Sequence, residues 1–587
     1  MSQPAPYDII FAGGGTTACV VAGRLAAGRP EPQDSRMVEA GKHTKDLPTH
    51  VQPARYYANL AGGGDTFTLH SAKPSEALGN RPLIIPAGKA IGGGSTVNFM
   101  MYTRASPSDY DDWEELENPG WGSKDLIPLS NKAETFEPNA KNHGTSGPIK
   151  VSGGIKTNIC RQYLDVAKAR DKERGHPWFK YVSATTGHRS DAAHHYVYNQ
   201  AHNKNLEMRV HCRVQRVIME NDRAVGVEYI SHDPTDAKKD QVQAAYASKF
   251  VVVAGGAFGS PAILERSGIG SPKLLESLDI RTVVDLPGVG ENYQDHNLLL
   301  VPYLTSDDEI TLDDIFHGKD DIIKPHETQW LGDGADKGWM AHNSIEAGIK
   351  IRPNAKDLEE IGPSFTRRWQ EYFVNKPDKP VMWIGPLTAY TGGNSAGVQG
   401  RKMFTLAYYT EYPASIGRTH ISSVDPYKPL DLEPGFLNEP EDLGVLRWSY
   451  KWSREMARRM PCYRGELAVE HPNFPESSAA AAGPAKGPVP IDAPDIAYTA
   501  EDNAAIDAYH RAFVGTTWHS LGTCAMKPRA QGGVVDSKLN VYGVKGLKVA
   551  DLSIAPTNVG SNTYNSALVV GEKAAVIFAE ELGIKGV

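Results

Sequence analysis

Tyr7-Asp8-Ile9-Ile10-Phe11-Ala12-Gly13-Gly14-Gly15-Thr16-Thr17-Ala18 is the stretch on which the reading of this chain turns. Its first half carries the β-branched and aromatic residues of a buried strand and stops at three glycines. A helix is predicted to follow at once. Gly13, Gly15 and Ala18 fit the pattern G-x-G-x-x-G/A. In that pattern the first position permits a tight turn, the second lets backbone approach a pyrophosphate at the helix N-terminus, and the small third residue lets the helix pack on the sheet. Taken alone, the motif also describes a glycine-rich turn that binds nothing. The residues beyond it favour a nucleotide site. Val20, Val21 and Leu25 continue an apolar helix face, and Arg36-Met37-Val38 reads as a second strand that ends at Glu39. The unit is β-α-β. Glu39 stands a little beyond the roughly 20 residues downstream at which an acidic side chain meets ribose hydroxyls, and a carboxylate there favours an unphosphorylated ribose.

Outward from this unit, 587 residues exceed what one hydrophobic core usually serves, so two intimately joined domains are expected. A hydrophobic fraction of 40% excludes a disordered chain. A net charge of -8, spread over both signs, offers no basic patch for nucleic acid, and none is expected as a partner. No stretch approaches the roughly 20 apolar residues that span a bilayer. The start, MSQPAPYDIIFAGGG, has neither a basic n-region nor a cleavage site. The expectation is therefore no membrane, no signal peptide and an intracellular home. Cys19, Cys160, Cys212, Cys462 and Cys524 form no CxxC pair and read as reduced, buried thiols. No HExxH helix is present, His194-His195 reads as a polar pair, and no metal is predicted.

Further segments carry a family resemblance. The first is Gly88-Lys89-Ala90-Ile91-Gly92-Gly93-Gly94-Ser95-Thr96-Val97-Asn98, with Tyr102 and Ala105. The second is Gly256-Ala257-Phe258-Gly259-Ser260-Pro261-Ala262-Ile263-Leu264 with Ser267-Gly268-Ile269-Gly270, after a strand Phe250 to Val253. Leu286-Pro287-Gly288-Val289-Gly290 with Asp295-His296, Thr517-Trp518-His519 and Asn562-Thr563-Tyr564 complete the set. Together they resemble the signatures of the glucose-methanol-choline (GMC) oxidoreductases over nearly the whole chain. Within that family the chain is similar to the fungal alcohol (methanol) oxidases, on NFMMYTRASPSDYDD, NKPDKPVM, TTWHSLGTC and VYGVKGLKVADLS. It departs from them in ending at Ile584-Lys585-Gly586-Val587, which is no S-K-L-type address, so the compartment is left as cytoplasmic or peroxisomal.

The resemblance implies an α/β fold: a Rossmann-type FAD-binding domain with a discontinuous substrate domain of sheet plus helices. The FAD-binding parts would be 1–155, 205–300 and 515–587, and the substrate parts 156–204 and 301–514. Arg418 to Ile421 and Val210 to Val217 read as strands and Trp448 to Arg459 as helix, while Ser477 to Pro494, rich in Ala, Gly and Pro, reads as a surface loop or lid. By resemblance, the cofactor-binding residues are Gly13, Gly15, Thr16, Thr17 and Glu39 for the ADP half, and Gly92, Gly93, Ser95, Asn98, Met100 and Thr563 toward the flavin. Val214 would meet the adenine end. Asp551 would reach the ribityl or pyrophosphate region, with a plain helix cap as the alternative. FAD should be non-covalent, because Val97 stands where some relatives carry a tethering histidine. His519 occupies the family's catalytic-base position and Asn562 the second catalytic position, which orients the alcohol oxygen. Phe99, Met101 and Trp518 should bound a small apolar substrate pocket. The implied reaction is oxidation of small primary alcohols to aldehydes with reduction of dioxygen to hydrogen peroxide, in a possible homo-oligomer. An aryl-alcohol oxidase, a dehydrogenase with another acceptor and a hydroxynitrile lyase on the same fold are the alternatives.

Overall fold

A computed structural model of the chain describes residues 7–28, 35–61, 64–138, 141–170, 176–318, 320–334, 336–392 and 400–587. The Tyr7–Ala12 strand is flanked by Ser35–Val38 on one side and the end of Val242–Val253 on the other, all parallel. Ile9, Ile10, Phe11 and Ala12 are all fully buried. A parallel strand is covered on both faces, so its apolar residues run on without alternating. The full sheet runs Leu206–Arg209, Ser35–Val38, Tyr7–Ala12, Val242–Val253, Arg223–Ser231, Cys212–Glu220, and Leu547–Val549 also pairs with Val242–Val253. The Thr16–Ala27 helix crosses this sheet and packs on the Tyr564–Leu582 helix near the C-terminus. Gly571 makes that approach possible: a Cβ there would sit 2.7 Å from that of Val20.

One strand boundary differs from the sequence reading. Val210 to Val217 is not one strand. Leu206–Arg209 pairs parallel with Ser35–Val38, whereas Cys212–Glu220 pairs antiparallel with Arg223–Ser231. The chain must turn between two pairings of different direction, and it does so at His211, in the left-handed region with φ +54°.

The second sheet is antiparallel: Tyr463–Glu466, Asn297–Thr305, Met403–Thr410, Met382–Leu387, Ala347–Ile351 and His176–Pro177, with Gly515–Thr516 joined to Asn297–Thr305. Alternate residues along each strand point to opposite faces. Leu299, Val301, Leu406, Tyr408 and Ile384 face a core shared with the Pro440–Arg459 helix. Leu298, Trp383, Leu387, Ala407 and Tyr409 face the other way and form a separate apolar cluster with Met101. Trp448 to Arg459 is the second half of that helix, which begins at Pro440 with Glu441 and Asp442 in its first turn.

Ser477 to Pro494 is irregular, and it is pinned down. Ala485 N donates to Arg464 O and Val489 N to Arg458 O, both at 2.9 Å, and Ala480 is fully buried. The five cysteines are buried and unpaired. His194 Nδ1 lies 2.8 Å from Asp191 Oδ2, in a local ion pair. Among the described residues, no group of three His, Cys, Asp or Glu could hold a metal ion. No helix among them is long and apolar enough to cross a membrane.

Candidate active site

A cavity of about 640 Å³ runs from the glycine turn after Ala12 to the apolar face of the second sheet. Its polar end is built from backbone. Gly13 has φ +120°, and Gly93, at φ +51°, comes so close to the turn that a Cβ on it would lie 2.9 Å from Gly15 Cα. Two glycine backbones in contact leave a slot that side chains would fill. Glu39 closes it: Oε2 accepts from Gly14 N and Oε1 from Gly41 N, both at 2.7 Å. Burial pushes its carboxyl up, against the pull of those amides and of Arg213. Each carboxylate oxygen keeps a lone pair for a hydroxyl donor.

Gly13, Gly15, Thr16, Thr17, Glu39, Gly93, Ser95, Asn98, Met100, Val214, Asp551 and Thr563 line the cavity. Gly92 does not: it stands behind the wall, where its carbonyl accepts from Thr16 Oγ1 at 2.9 Å and Ser95 Oγ at 2.7 Å. Asn98 Oδ1 accepts from Arg189 Nη1 at 2.8 Å and Met100 N at 3.1 Å, which aligns its amide. Asp551 both borders the cavity and caps. Oδ1 accepts from Ser553 N at 2.8 Å, and Oδ2 accepts from Gly256 N at 2.8 Å and Ser260 Oγ at 2.5 Å.

His519 and Asn562 sit at the other end, side by side. Trp518 has φ +60°, an uncommon backbone state for a bulky residue. Asp295 holds that turn, since its buried carboxylate accepts from Thr516 Oγ1 at 2.6 Å and His519 N at 3.1 Å. The imidazoles then form a directed chain. His296 Nε2–H donates to Val559 O at 3.0 Å, so His296 Nδ1 carries the lone pair. His519 Nδ1–H donates to that lone pair at 2.8 Å, which leaves His519 Nε2 as the acceptor. Asn562 Nδ2 lies 3.2 Å from Nε2. Asn562 Oδ1 is occupied by the hydroxyls of Thr103 at 3.1 Å and Tyr409 at 3.2 Å.

Burial disfavours the charged form of both rings. Burial, and then the neighbouring His296, hold His519 well below the usual imidazole range. Burial takes His296 down to about 3. Its ring is further fixed by Tyr409, stacked at 5.4 Å between centroids, and Tyr409 stacks on Trp383 at 5.2 Å.

Phe99, Met101 and Trp518 border this end, with Phe99 and Trp518 at 4.8 Å between centroids. Leu298, Leu300, Ile345, Trp383, Leu387, Ala407 and Tyr409 complete the wall, and none of them was singled out in the sequence. All but Ile345 lie on strands that are apolar on both faces, so nothing local marks the residues that face the cavity. Their register does. Ala407 lies opposite Leu300 and Gly385, and the indole of Trp383 rests where Cβ atoms on Gly385 and Gly348 would come within 2.6 and 2.7 Å of it.

A Rossmann turn that opens into a cavity of about 640 Å³, with a desolvated histidine chain facing an apolar wall at the other end, is the arrangement of a dinucleotide-binding oxidoreductase. The chain belongs to the GMC oxidoreductase family, whose two models match residues 7–298 and 413–571. It is 40% identical to the alcohol oxidase of Pichia angusta over 647 aligned positions, covering 100% of this chain and 96% of that protein. The alcohol oxidase of Candida boidinii is 39% identical over 648 positions with the same coverage. Among solved structures, an FAD-dependent oxidoreductase from Chaetomium thermophilum superposes with TM-score 0.80 at 23% identity, over 98% of this chain and 100% of that one. Formate oxidase of Aspergillus oryzae gives 0.81 at 20% identity, over 99% of each chain. These two likenesses speak for the FAD-binding fold alone.

Proposed function

We propose that this protein is an FAD-dependent alcohol oxidase that converts small primary alcohols to aldehydes and passes the electrons to dioxygen, forming hydrogen peroxide. The observation that carries the chemistry is the hydrogen-bond chain from Val559 O through His296 to His519, which leaves a lone pair on His519 Nε2 at the cavity. The alcohol-oxidase relatives support the substrate class.

The cavity suits FAD. Its slot between Gly13, Gly15 and Gly93 is open to a pyrophosphate, Glu39 offers acceptors for ribose hydroxyls, and the wall past Ser95 and Asn98 leads to His519. Val97 has no nucleophilic atom, so the cofactor is held non-covalently at that position. Bound FAD supplies the hydride acceptor. The residues of this chain do the rest. An alcohol oxygen seated on the cavity side of Asn562 Nδ2 and His519 Nε2, within reach of both, receives an amide N–H and gives its own proton to Nε2. The positive charge that arises on His519 is shared through the Nδ1–H bond with His296 and, beyond it, with Val559 O. Asp295 keeps the His519 backbone in register. The surrounding apolar wall excludes water and takes the alkyl group. We assign 1–155, 205–300 and 515–587 chiefly to cofactor binding and 156–204 and 301–514 to the substrate side, with Leu298 and Leu300 of the strand Asn297–Thr305 reaching across to the substrate wall.

Anaerobic mixing of the FAD-loaded protein with methanol, ethanol, butanol and benzyl alcohol, followed by air, tests this reading. The smallest alcohols are expected to bleach the flavin band fastest, and air to restore it with peroxide release. Bleaching by benzyl alcohol alone would overturn the substrate size, failure to reoxidise would point to another acceptor, and no bleaching would remove the redox assignment.

Phe99→Ala opens the wall beside Trp518, so kcat/KM for benzyl alcohol is expected to rise relative to that for ethanol by roughly 10-fold, the scale of one or two methylenes in an apolar pocket. An unchanged ratio would place the size limit elsewhere. The pH profile follows from the depressed pKa of His519. The base form is the neutral one, and it persists below 6.5, the ordinary imidazole value. kcat/KM for ethanol should therefore stay level as pH falls through 6.5, and a loss centred there would argue against His519 as base.

A further inference from the structure

Next to Asn562, outside the cavity lining, the fold places charges that make no hydrogen bond to His519 or His296. Lys350 pairs in register with Trp383, and Trp383 with Tyr409, so all three leave the same face of the second sheet. The Lys350 ammonium donates to the carbonyl of Gly560 and, at 3.4 Å, to that of Arg104. These carbonyls belong to the two supports of Asn562. Gly560 lies two residues before it. Arg104 follows Thr103, whose Oγ1 accepts from Asn562 N at 2.7 Å and donates to its Oδ1 at 3.1 Å.

The amide of Gly560 is held as firmly as its carbonyl. Gly560 N donates to Asp109 Oδ2 at 3.0 Å, and Asp109 Oδ1 in turn receives the Tyr412 hydroxyl at 2.7 Å and lies 3.0 Å from the fully buried Lys379 Nζ. A Cβ at position 560 would fall 2.3 Å from the Tyr412 hydroxyl, so the chain there is held close and can carry no side chain. Hydrogen bonds to charged groups are the strong ones, and the backbone of one residue here takes one at its N–H and another at its carbonyl.

Lys350 has an ion-pair partner of an uneconomical kind. Glu411 is fully buried with Oε1 3.8 Å from Lys350 Nζ, and neither of its oxygens has a hydrogen-bond partner among the described residues. Burial pushes its carboxyl up to about 7, and Lys350 pulls the other way. A pair that takes one carboxylate wholly out of water and leaves it without a hydrogen bond adds little to stability; what it does is keep the half-buried Lys350 ammonium beside the Gly560 and Arg104 carbonyls.

We propose that Lys350, with Glu411 as its counter-ion, is a positioning residue that fixes Asn562 by clamping the Gly560 carbonyl against the Arg104 carbonyl. The inference rests on the reading of Asn562 as the residue that orients the alcohol.

The test uses the full-length, FAD-loaded protein as Lys350→Met, Lys350→Arg, Asn562→Ala and the Lys350→Met/Asn562→Ala double variant. kcat and KM for ethanol, FAD content and Tm are measured for each. Lys350→Met should lower kcat roughly 10- to 100-fold, the scale of a small misplacement of a reacting group. KM should move less than about threefold, since ground-state binding in the apolar wall is untouched. FAD content should match that of the parent, and Lys350→Arg, which keeps the charge, should recover most of kcat. The double variant should be no slower than Asn562→Ala alone, because two residues that act through one another are non-additive.

A parent-like kcat in Lys350→Met, or a double variant whose loss is the product of the single losses, would overturn the inference and leave the active-site reading standing. A parent-like kcat in Asn562→Ala would overturn both. Should Lys350→Met not fold, Lys350→Met/Glu411→Gln removes the two charges together and is judged by the same outcomes.

Discussion

His519→Ala is expected to lower kcat for ethanol by roughly 10²- to 10⁴-fold, the range a positioned general base supplies. FAD should remain bound, because His519 meets the cavity at the end opposite the glycine slot and its backbone is anchored by Asp295. The loss should fall on kcat and kcat/KM together, as for an interaction made only in the transition state. His519→Asn is the more exacting variant. An asparagine amide N–H stands near the position of His519 Nδ1 and can donate to His296, but it has no titratable lone pair, so it should preserve the hydrogen-bond chain and still fail as a base. A loss of less than about tenfold in His519→Asn, below the range a general base supplies, would move the proton acceptor away from His519.

The second large effect separates two glycines to which the motif gives different tasks. Gly13→Ala should damage folding. The residue lies at φ +120°, and an added Cβ would fall 2.3 Å from the Ala254 carbonyl oxygen, which is backbone and cannot swing aside. The backbone conformation alone costs on the order of 1–3 kcal/mol for a residue with a side chain, and the collision adds to that. Gly15→Ala should leave folding intact. Its φ is -70°, and the nearest atom to an added Cβ is Ala254 O at 3.9 Å, so the methyl group would stand in the open cavity. There it would occupy the closest approach of a pyrophosphate, and the dissociation constant for FAD should rise at least about tenfold, or 1.4 kcal/mol. Tm of the FAD-free proteins and titration with FAD tell the two apart. A Gly15→Ala protein that binds FAD as the parent does would show that the pyrophosphate lies elsewhere in the cavity.

Much of the cofactor end was legible before any coordinates. Strand, turn, helix and acidic strand end are local patterns, and a nucleotide slot is built from backbone that only particular glycines allow. His519 and Asn562 were legible through motif likeness, because each sits in a short segment whose neighbours are as constrained as itself.

Other features depended on pairings that sequence periodicity does not record. The break at His211 follows from two strand pairings of different direction. Gly92 lies behind the wall and Gly93 on it, although adjacent glycines look alike in the chain. Asp551 is a cap and a cavity residue at once, so the alternatives open in its sequence were not exclusive.

The sequence by itself determined the β-α-β unit with its glycine turn, which is written in residues close together along the chain, and family likeness named His519 and Asn562, which the structure brings side by side. Tertiary structure alone decided which nitrogen of His519 is the acceptor, since that depends on His296, 223 residues away, and on the carbonyl of Val559. It alone decided the aim of Asn562, through Thr103, Tyr409 and the Lys350 clamp. The reason is physical: a tautomer and a side-chain direction are set by donors and acceptors that meet only when distant strands and loops pack together.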